Sequence, residues 1–270
     1  MTSVDSRIQT FRRLHESGCF VIPNPWDVGS ATVLEGLGFK ALATSSAGFA
    51  WSLGRRDNGV TIDEALAHYA AVAAAVKVPV NADFERAFAT EPDEVGANVA
   101  RACATGIAGL SIEDSTHQPE APLFEFGLAV NRIRAARQAI DKSGTGVLLT
   151  GRSEGFIAGR PDIDETIRRL RAYADAGADC LFAPGVRNPA DIEAIVKAVA
   201  PKPVNVVVGA DFTTVENLAA LGVRRISVGG SLARLAYSAF HAAATEISEQ
   251  GTFTAFAGGR PGPEINKLFK

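Results

Sequence analysis

Short apolar runs alternate with longer stretches of helical periodicity along the whole chain. The runs read CFVIPNP (19–25), ALATSSA (41–47), VPVNADF (78–84), GLSIEDS (109–115), VLLTGRS (147–153), CLFAPGV (180–186), PVNVVVG (203–209) and RISVGGS (225–231). Each is mostly Val, Ile, Leu, Ala or Phe, and each ends in polar or glycine residues. Continuous apolar character, rather than strict alternation, predicts strands covered on both faces, as in a parallel sheet. Helical patterns fill the intervals: 28–38, 61–76, 91–106, 129–144, 162–178, 188–200, 214–223 and 232–251. Thr61 with Glu64 reads as a capping box. Gly36, Gly38, Gly106, Gly144, Gly177 and Gly222 stand where helices should stop. In IRRLRAYADAGA, Ile167, Leu170, Tyr173 and Ala174 form an inward stripe, which sends Arg168, Arg169 and Arg171 to water.

Eight strands alternating with eight helices fit a closed (β/α)8 TIM barrel or a doubly wound sheet. The barrel is favoured, because the units are even in length and no GxGxxG turn follows the first run. No linker divides the chain, so residues 1–270 are read as one domain. The tail from about residue 252 lacks the periodicity of a ninth unit. It is expected to lie across a barrel surface or on a neighbouring subunit.

Composition narrows the functional classes. The chain has 270 residues, 47% hydrophobic and only 7% aromatic, which suits a core of Ala, Val, Leu and Ile. With 27 basic and 30 acidic residues the net charge is −3, so nucleic acid is not an expected partner. No apolar run is long enough to span a membrane. The opening MTSVDSRIQTFRRLHES has no apolar stretch of signal-peptide type, which predicts a cytoplasmic protein. Cys19, Cys103 and Cys180 show no CxxC spacing and read as small buried apolar residues.

In a (β/α)8 barrel, chemistry sits at the C-terminal strand ends and in the loops that follow. Polar residues at strand starts are therefore expected to be structural. Asp27, Asp57, Asp83, Glu85, Glu113 and Asp114 all follow strands one to four. Crowding so many carboxylates on one rim is costly unless a cation offsets them. Oxygen-only ligands favour a hard ion, Mg2+ or Mn2+, and Asp83, Glu85 and Glu113 are the candidate ligands. The competing explanation is that each acid caps the next helix, which fits Asp27 and Asp114 well. Arg152 ends strand five and can serve as an ion-pair partner, a clamp for a substrate carboxylate, or both. Glu154, on the same strand face, is placed to orient it.

Small residues in TSSAG (44–48) allow a backbone N–H cradle for a ligand oxygen, or simply a tight turn. VGGS (228–231) fits a phosphate at a helix N-terminus and equally fits close helix packing. No lysine ends a strand, which argues against a Schiff-base aldolase. His15, His68 and His241 fall in helical patterns, and His117 alone lies near the rim. It reads either as a solvated loop residue or as a movable acid or base.

In this order and spacing, NPWDVGSA, ATSSAGFAWSLGRRD, VPVNADFE, GLSIEDS, GRSEGFIAGR, AYADAGADCLF and GVRRISVGGS resemble the isocitrate lyase/phosphoenolpyruvate mutase superfamily from about residue 18 to 240. The resemblance implies that Asp83, Glu85 and Glu113 hold Mg2+, partly through water. It implies that Asp57 lies near the substrate and metal. Arg152 and the backbone at Ser45 and Ser46 would bind an α-keto acid, with Trp26 and Ala47 beside it. The loop after strand four would act as a lid, and Arg152, Asp57 and His117 are the candidate catalytic residues. It further implies a homotetramer that exchanges the eighth helix between neighbours.

Two departures shape the expectation. The lid reads STHQPEAPLFEF, without the KKCGH-like cysteine segment of the isocitrate and methylisocitrate lyases. The common DADTGYG segment reads NADFERAF, with Arg86, Ala87 and Phe88 replacing the small residues and reshaping the pocket. The expected activity is therefore metal-dependent C–C cleavage of an oxaloacetate-like α-keto acid or 2-hydroxy dicarboxylate, by a decarboxylase or lyase. The alternatives are C–P bond chemistry on a phosphonopyruvate-type substrate and a non-catalytic keto-acid-binding barrel.

Overall fold

Every one of the eight apolar runs forms a strand in the computed structural model, which describes residues 4–269. The order begins α1 (Val4–Glu16), β1 (Phe20–Ile22), α2 (Val28–Gly36), β2 (Leu42–Ala43), α3 (Ser46–Ser52), α4 (Ile62–Ala75), β3 (Val80–Asp83) and α5 (Pro92–Cys103). It continues β4 (Gly109–Glu113), α6 (Phe126–Ser143), β5 (Leu148–Arg152), α7 (Ile163–Asp175), β6 (Cys180–Phe182) and α8 (Pro189–Val199). β7 (Val204–Val207), α9 (Val215–Ala220), β8 (Arg225–Ser227), α10 (Ser231–Gln250), a 3-10 turn (Thr254–Gly258) and α11 (Gly262–Asn266) complete it.

All ladders are parallel, in the order β1-β8-β7-β6-β5-β4-β3-β2. Past the end of β1 the chain closes the circle. Ala43 N–H donates to Pro23 O at 3.0 Å and Ser45 N–H to Pro25 O at 3.2 Å. The architecture is the expected (β/α)8 barrel. Its core is aliphatic, with Leu42, Leu110, Ile112, Leu149 and Leu181 fully buried. The capping box at Thr61 is present, with Glu64 N–H on the Thr61 hydroxyl and Thr61 N–H on Glu64.

Among the described residues three α-helices fall outside the eight predicted: α1, α3 and the short α11 of the tail. α3 starts within the TSSAG segment, where the Ser45 hydroxyl accepts from Gly48 N–H as an N-cap. α1 packs at the N-terminal strand ends, where Phe11 is fully buried. A Cβ on Gly109 would come within 2.6 Å of the Phe11 ring, so β4 must start with glycine here.

One surface assignment is corrected. Arg168 and Arg171 face water, but Arg169 is buried. Its guanidinium turns under α7 to reach Asp114 at 3.0 Å, the Phe124 carbonyl at 3.0 Å and Glu165 at 2.8 Å. An arginine next to an inward stripe can snorkel inward as well as outward when a buried anion awaits it.

α10 buries only Ala233, leaving Leu235 and Phe240 about two-thirds exposed at 66% and 70%. The tail folds back on Glu246, which accepts from Thr252, Thr254 and Ala255. Phe269 ends beside Gly29 of α2. No helix among the described residues is long and apolar enough to cross a membrane. The three cysteines are free, with Cys103 and Cys180 buried.

Candidate active site

Arg152 is the hub of the C-terminal rim. β5 pairs Arg152 with Glu113 of β4 in register, and β3 ends at Asp83 one strand further on. The guanidinium spreads across three acids. Nη1 lies 2.6 Å from Asp83 Oδ1, Nη2 3.0 Å from Glu113 Oε2, and Nε 2.9 Å from Glu154 Oε1. The ion-pair role foreseen for Arg152 and the orienting position foreseen for Glu154 meet in one contact, since a carboxylate on Nε fixes the plane of the fork. Their combined charge raises the Arg152 pKa well above its ordinary value, against the effect of burial.

The other predicted residues close around this hub. Ser46 donates to Asp83 Oδ2 from its hydroxyl at 2.9 Å and its N–H at 3.1 Å. His117 Nε2 lies 2.6 Å from Glu113 Oε1, so the histidine of the β4–α6 loop is engaged rather than merely solvated. A cavity of about 190 Å³ is lined by Ser46, Asp57, Glu113, His117, Arg152 and Glu154. A second, deeper cavity of about 400 Å³ shares Arg152 and runs into the barrel interior past Asp83.

Acidic side chains outnumber basic ones here, which disfavours the charged form of Glu85. It is buried, and its Oε1 finds no hydrogen-bond donor among the described residues. Burial, then Asp83, Glu113 and Asp57, push its pKa up to about 8. Partial burial and the same neighbours Asp83 and Glu113 raise Asp57. Burial also works against the charged form of Glu113, but Arg152 and the His117 hydrogen bond outweigh it and hold that pKa low.

Strain concentrates at the same place. Among the described residues, the non-glycine residues with positive φ are Asn58, Glu85, Ala87, Phe88 and His117. All five lie in the loops after β2, β3 and β4. Each costs on the order of 1–2 kcal/mol, so the surroundings must enforce it. For the β3 loop that support is Arg132, buried in α6. It donates to the carbonyls of Arg86, Ala89 and Thr90 at 2.6–2.8 Å and stacks over Phe124. Ala87 and Phe88 therefore adopt the left-handed backbone that glycine would take without strain.

Several predicted positions fall elsewhere. Ser45 N–H is spent on the Pro25 carbonyl, so it is not part of a free cradle. Ala47 faces Gly230 in the β8–α10 turn. Trp26 lines an outer groove with Asp27, Phe49 and His68, not either rim cavity. Asp27 caps α2 through Ser30, as expected. Asp114 is structural, but it caps no helix: it accepts from Glu154 N–H, Arg169 and Tyr173 OH. In VGGS, the N–H groups of Val228 and Gly229 are both taken by Asn24 Oδ1 at 2.9 Å, which favours the packing explanation over a phosphate site.

The sequence reading passed over Asn81, Ser111, Asn205, Arg225 and Ser227, which line the deeper cavity. Their signal was a polar residue inside an otherwise apolar run. Placing chemistry only at strand ends set them aside. Metal ligation is also less preformed than expected. Among the described residues, no three His, Cys, Asp or Glu side chains are grouped as they stand to hold an ion. Arg152 lies between two of the three proposed ligands.

Comparison with known proteins bears on what this rim can do. The family model described as phosphoenolpyruvate phosphomutase matches residues 11–248. A Burkholderia cenocepacia structure provisionally assigned as a lyase/mutase superposes with a TM-score of 0.95 at 45% identity, covering 98% of this chain and 97% of that one. An uncharacterized protein of Mycobacterium tuberculosis is 33% identical over 87% of both chains. The oxaloacetate decarboxylase of Bradyrhizobium diazoefficiens is 30% identical, covering 67% of this chain and 64% of its own length. A phosphonopyruvate hydrolase in complex with oxalate and Mg2+ superposes with a TM-score of 0.85 at 26% identity, covering 99% of this chain and 95% of that one.

Proposed function

The chain belongs to the phosphoenolpyruvate phosphomutase family, within the isocitrate lyase/phosphoenolpyruvate mutase superfamily, and from that premise we propose that it is a Mg2+- or Mn2+-dependent lyase that cleaves a C–C bond of an oxaloacetate-like α-keto acid or 2-hydroxy dicarboxylate. The observation that carries this reading is Glu85, a buried carboxylate with an oxygen that has no donor among the described residues, held beside Asp83 and Glu113. A hard cation is the partner that such an oxygen fits. Asp83, Glu85 and Glu113 would hold the ion, which when bound supplies Lewis-acid polarisation of the keto oxygen.

The protein's own groups do the rest. Arg152 exchanges Asp83 and Glu113 for the carboxylate of the incoming keto acid, which accepts the guanidinium's fork in the same way. That exchange releases the two acids for their ligand role. Glu154 keeps the guanidinium oriented through Nε. The Ser46 N–H and hydroxyl, already aimed at an anionic oxygen, stabilise negative charge that develops as the C–C electron pair moves into the carbonyl. From an oxaloacetate-like keto acid CO2 departs and leaves a pyruvate enolate. From a 2-hydroxy dicarboxylate the hydroxyl proton passes to Asp57, C2 departs as a keto or aldehyde group, and the C2–C3 pair stays on C3 as a carboxylate-stabilised carbanion. His117, at the mouth with Asp57, returns a proton to the enolate or carbanion carbon.

The exposed apolar face of α10 supports packing against a second copy, and we assign a homotetramer in the cytoplasm as part of the reading. The same rim suits a phosphonopyruvate-type substrate, and similarity to the phosphonopyruvate hydrolase favours keeping that second reading. The deciding experiment supplies Mg2+ or Mn2+ and follows pyruvate release from oxaloacetate, malate-type hydroxy acids and phosphonopyruvate. Release from the carbon acids alone supports the lyase. Release from phosphonopyruvate alone transfers the site to C–P chemistry, and ligand binding without any product makes it a binding barrel.

A further inference from the structure

We infer that Arg225, deep in the larger cavity, binds the second carboxylate of a dicarboxylate substrate. This rests on the lyase reading above and assigns a residue to the far carboxylate of the substrates it names.

The argument begins with charge. Arg225 is the first residue of β8 and is buried. Its Nε donates to Asn205 Oδ1 at 2.8 Å and Nη2 to Thr150 Oγ1 at 3.1 Å. Nη1 lies 3.3 Å from His15 Nε2. With His15 Nδ1 on the Phe11 carbonyl at 2.8 Å, its Nε2 presents a lone pair. All three partners are neutral, and among the described residues no carboxylate pairs with Arg225. A buried cation with neutral partners only is costly, and an anion arriving beside it recovers that cost.

Arg225 also borders open space rather than packed core. It lines the cavity of about 400 Å³ together with Asn81, Ser111, Asn205 and Ser227, all short hydrogen-bonding groups. The charged groups lining that cavity are Asp83, Arg152, Arg225 and Arg234: one carboxylate against three guanidiniums. The contrast with Arg152 is informative. Three acids already neutralise Arg152. Arg225 holds its charge free at the other end of the same cavity. An anion with one group at each end matches this arrangement, whereas a monocarboxylate engages only the rim.

The test uses the full chain with saturating Mg2+ and two probes titrated calorimetrically. Oxalate has no arm beyond the rim, and difluorooxaloacetate carries a second carboxylate. Arg225→Gln is expected to weaken difluorooxaloacetate at least about thirtyfold and oxalate less than about twofold, the range typical of losing one buried charge-assisted contact. Should that variant not fold, Asn205→Asp decides alone. It keeps the guanidinium and supplies an internal counter-charge, so it should hold or raise the melting temperature and give the same selective loss. Equal weakening of both probes, or of neither, overturns the inference and leaves the lyase reading standing. A wild-type protein that binds neither probe removes the lyase reading, and the role of Arg225 with it.

Discussion

Glu113 and Asp114 are neighbours on one strand end, yet they belong to two different electrostatic worlds. Successive side chains on a strand point to opposite faces. Glu113 therefore points into the barrel, toward Arg152, His117, Asp83 and Glu85. Asp114 points out, toward α7. On the outer side the sums close. Asp114 Oδ1 accepts from Glu154 N–H at 2.8 Å, and Oδ2 accepts from Tyr173 OH at 2.6 Å and Arg169 at 3.0 Å. On the inner side they do not. Arg152 is shared among Asp83, Glu113 and Glu154, and Glu85 keeps an oxygen without a donor among the described residues. The positive-φ residues follow the same division, with Glu85, Ala87, Phe88 and His117 all on loops of the inner cluster. Completed pairing marks the acid that holds the fold. Incomplete pairing with backbone strain marks the acids that await a ligand.

The strongest test of this division is Arg152→Ala. It removes the hub of the inner cluster and should reduce turnover about 100- to 1000-fold, the usual loss for one preorganised electrostatic contact. Steady-state rates on whichever acid the substrate screen identifies would measure it, and full turnover would erase the distinction. The next test concerns pH. In the metal-free protein Glu85 has a pKa of about 8, whereas its ordinary value is 4.5. The folded state therefore holds a proton between those values that the unfolded chain has lost. Glu85 thus makes stability fall as pH rises from about 5 to 8, by at most about 1.4 kcal/mol per pH unit. Below about pH 6.5, His15 and His68, lowered by burial to about 3 and about 4, act in the opposite sense. Thermal melts between about pH 6.5 and 8 should show the decline. Glu85→Gln should reduce it, leaving the share of Glu154, whose pKa burial likewise raises to about 8. Mg2+ should also reduce it by supplying positive charge.

The outer cluster should answer in the opposite sense. Arg169→Met removes a buried cation from Asp114 while keeping the length of the side chain. Breaking such a pair costs about 3–5 kcal/mol. Chemical denaturation should register that loss, while turnover per folded molecule stays within about threefold, since Arg169 touches none of the groups around Arg152. A collapse in rate with unchanged stability would place the outer cluster in the site.

Much of this was readable from the chain. Eight apolar runs became eight strands because parallel strands buried on both faces carry continuous Val, Ile and Leu, a signal local to each run. The rim acids were readable because Asp83, Glu85 and Glu113 follow apolar runs directly. What stayed hidden depended on direction or on distant partners. The inward path of Arg169 needs Asp114, 55 residues away. The left-handed loop of Ala87 and Phe88 needs Arg132, whose donors reach carbonyls 42–46 residues earlier. Arg225 was masked because a strand start reads as scaffold. In a barrel, an interior-facing strand start is also the bottom of the cavity.

Asp27 supplies the smallest and most discriminating check. It sits at the same end of the barrel as the inner acids, directly after β1, and it neighbours Trp26, which the family resemblance drew toward the substrate. Its carboxylate is nevertheless spoken for locally. Oδ1 accepts from Ser30 N–H at 2.6 Å, and the Ser30 hydroxyl accepts from Asp27 N–H at 3.1 Å, closing a capping box on α2. Removing such a cap costs about 1 kcal/mol, and for a chain of this size that is a drop of about 2–4 °C in melting temperature. Asp27→Ala should therefore shift the melt slightly and leave kcat and KM as they were. A rate loss beyond the loss of folded protein would mean that position alone, not completeness of pairing, decides which rim acids take part in the chemistry.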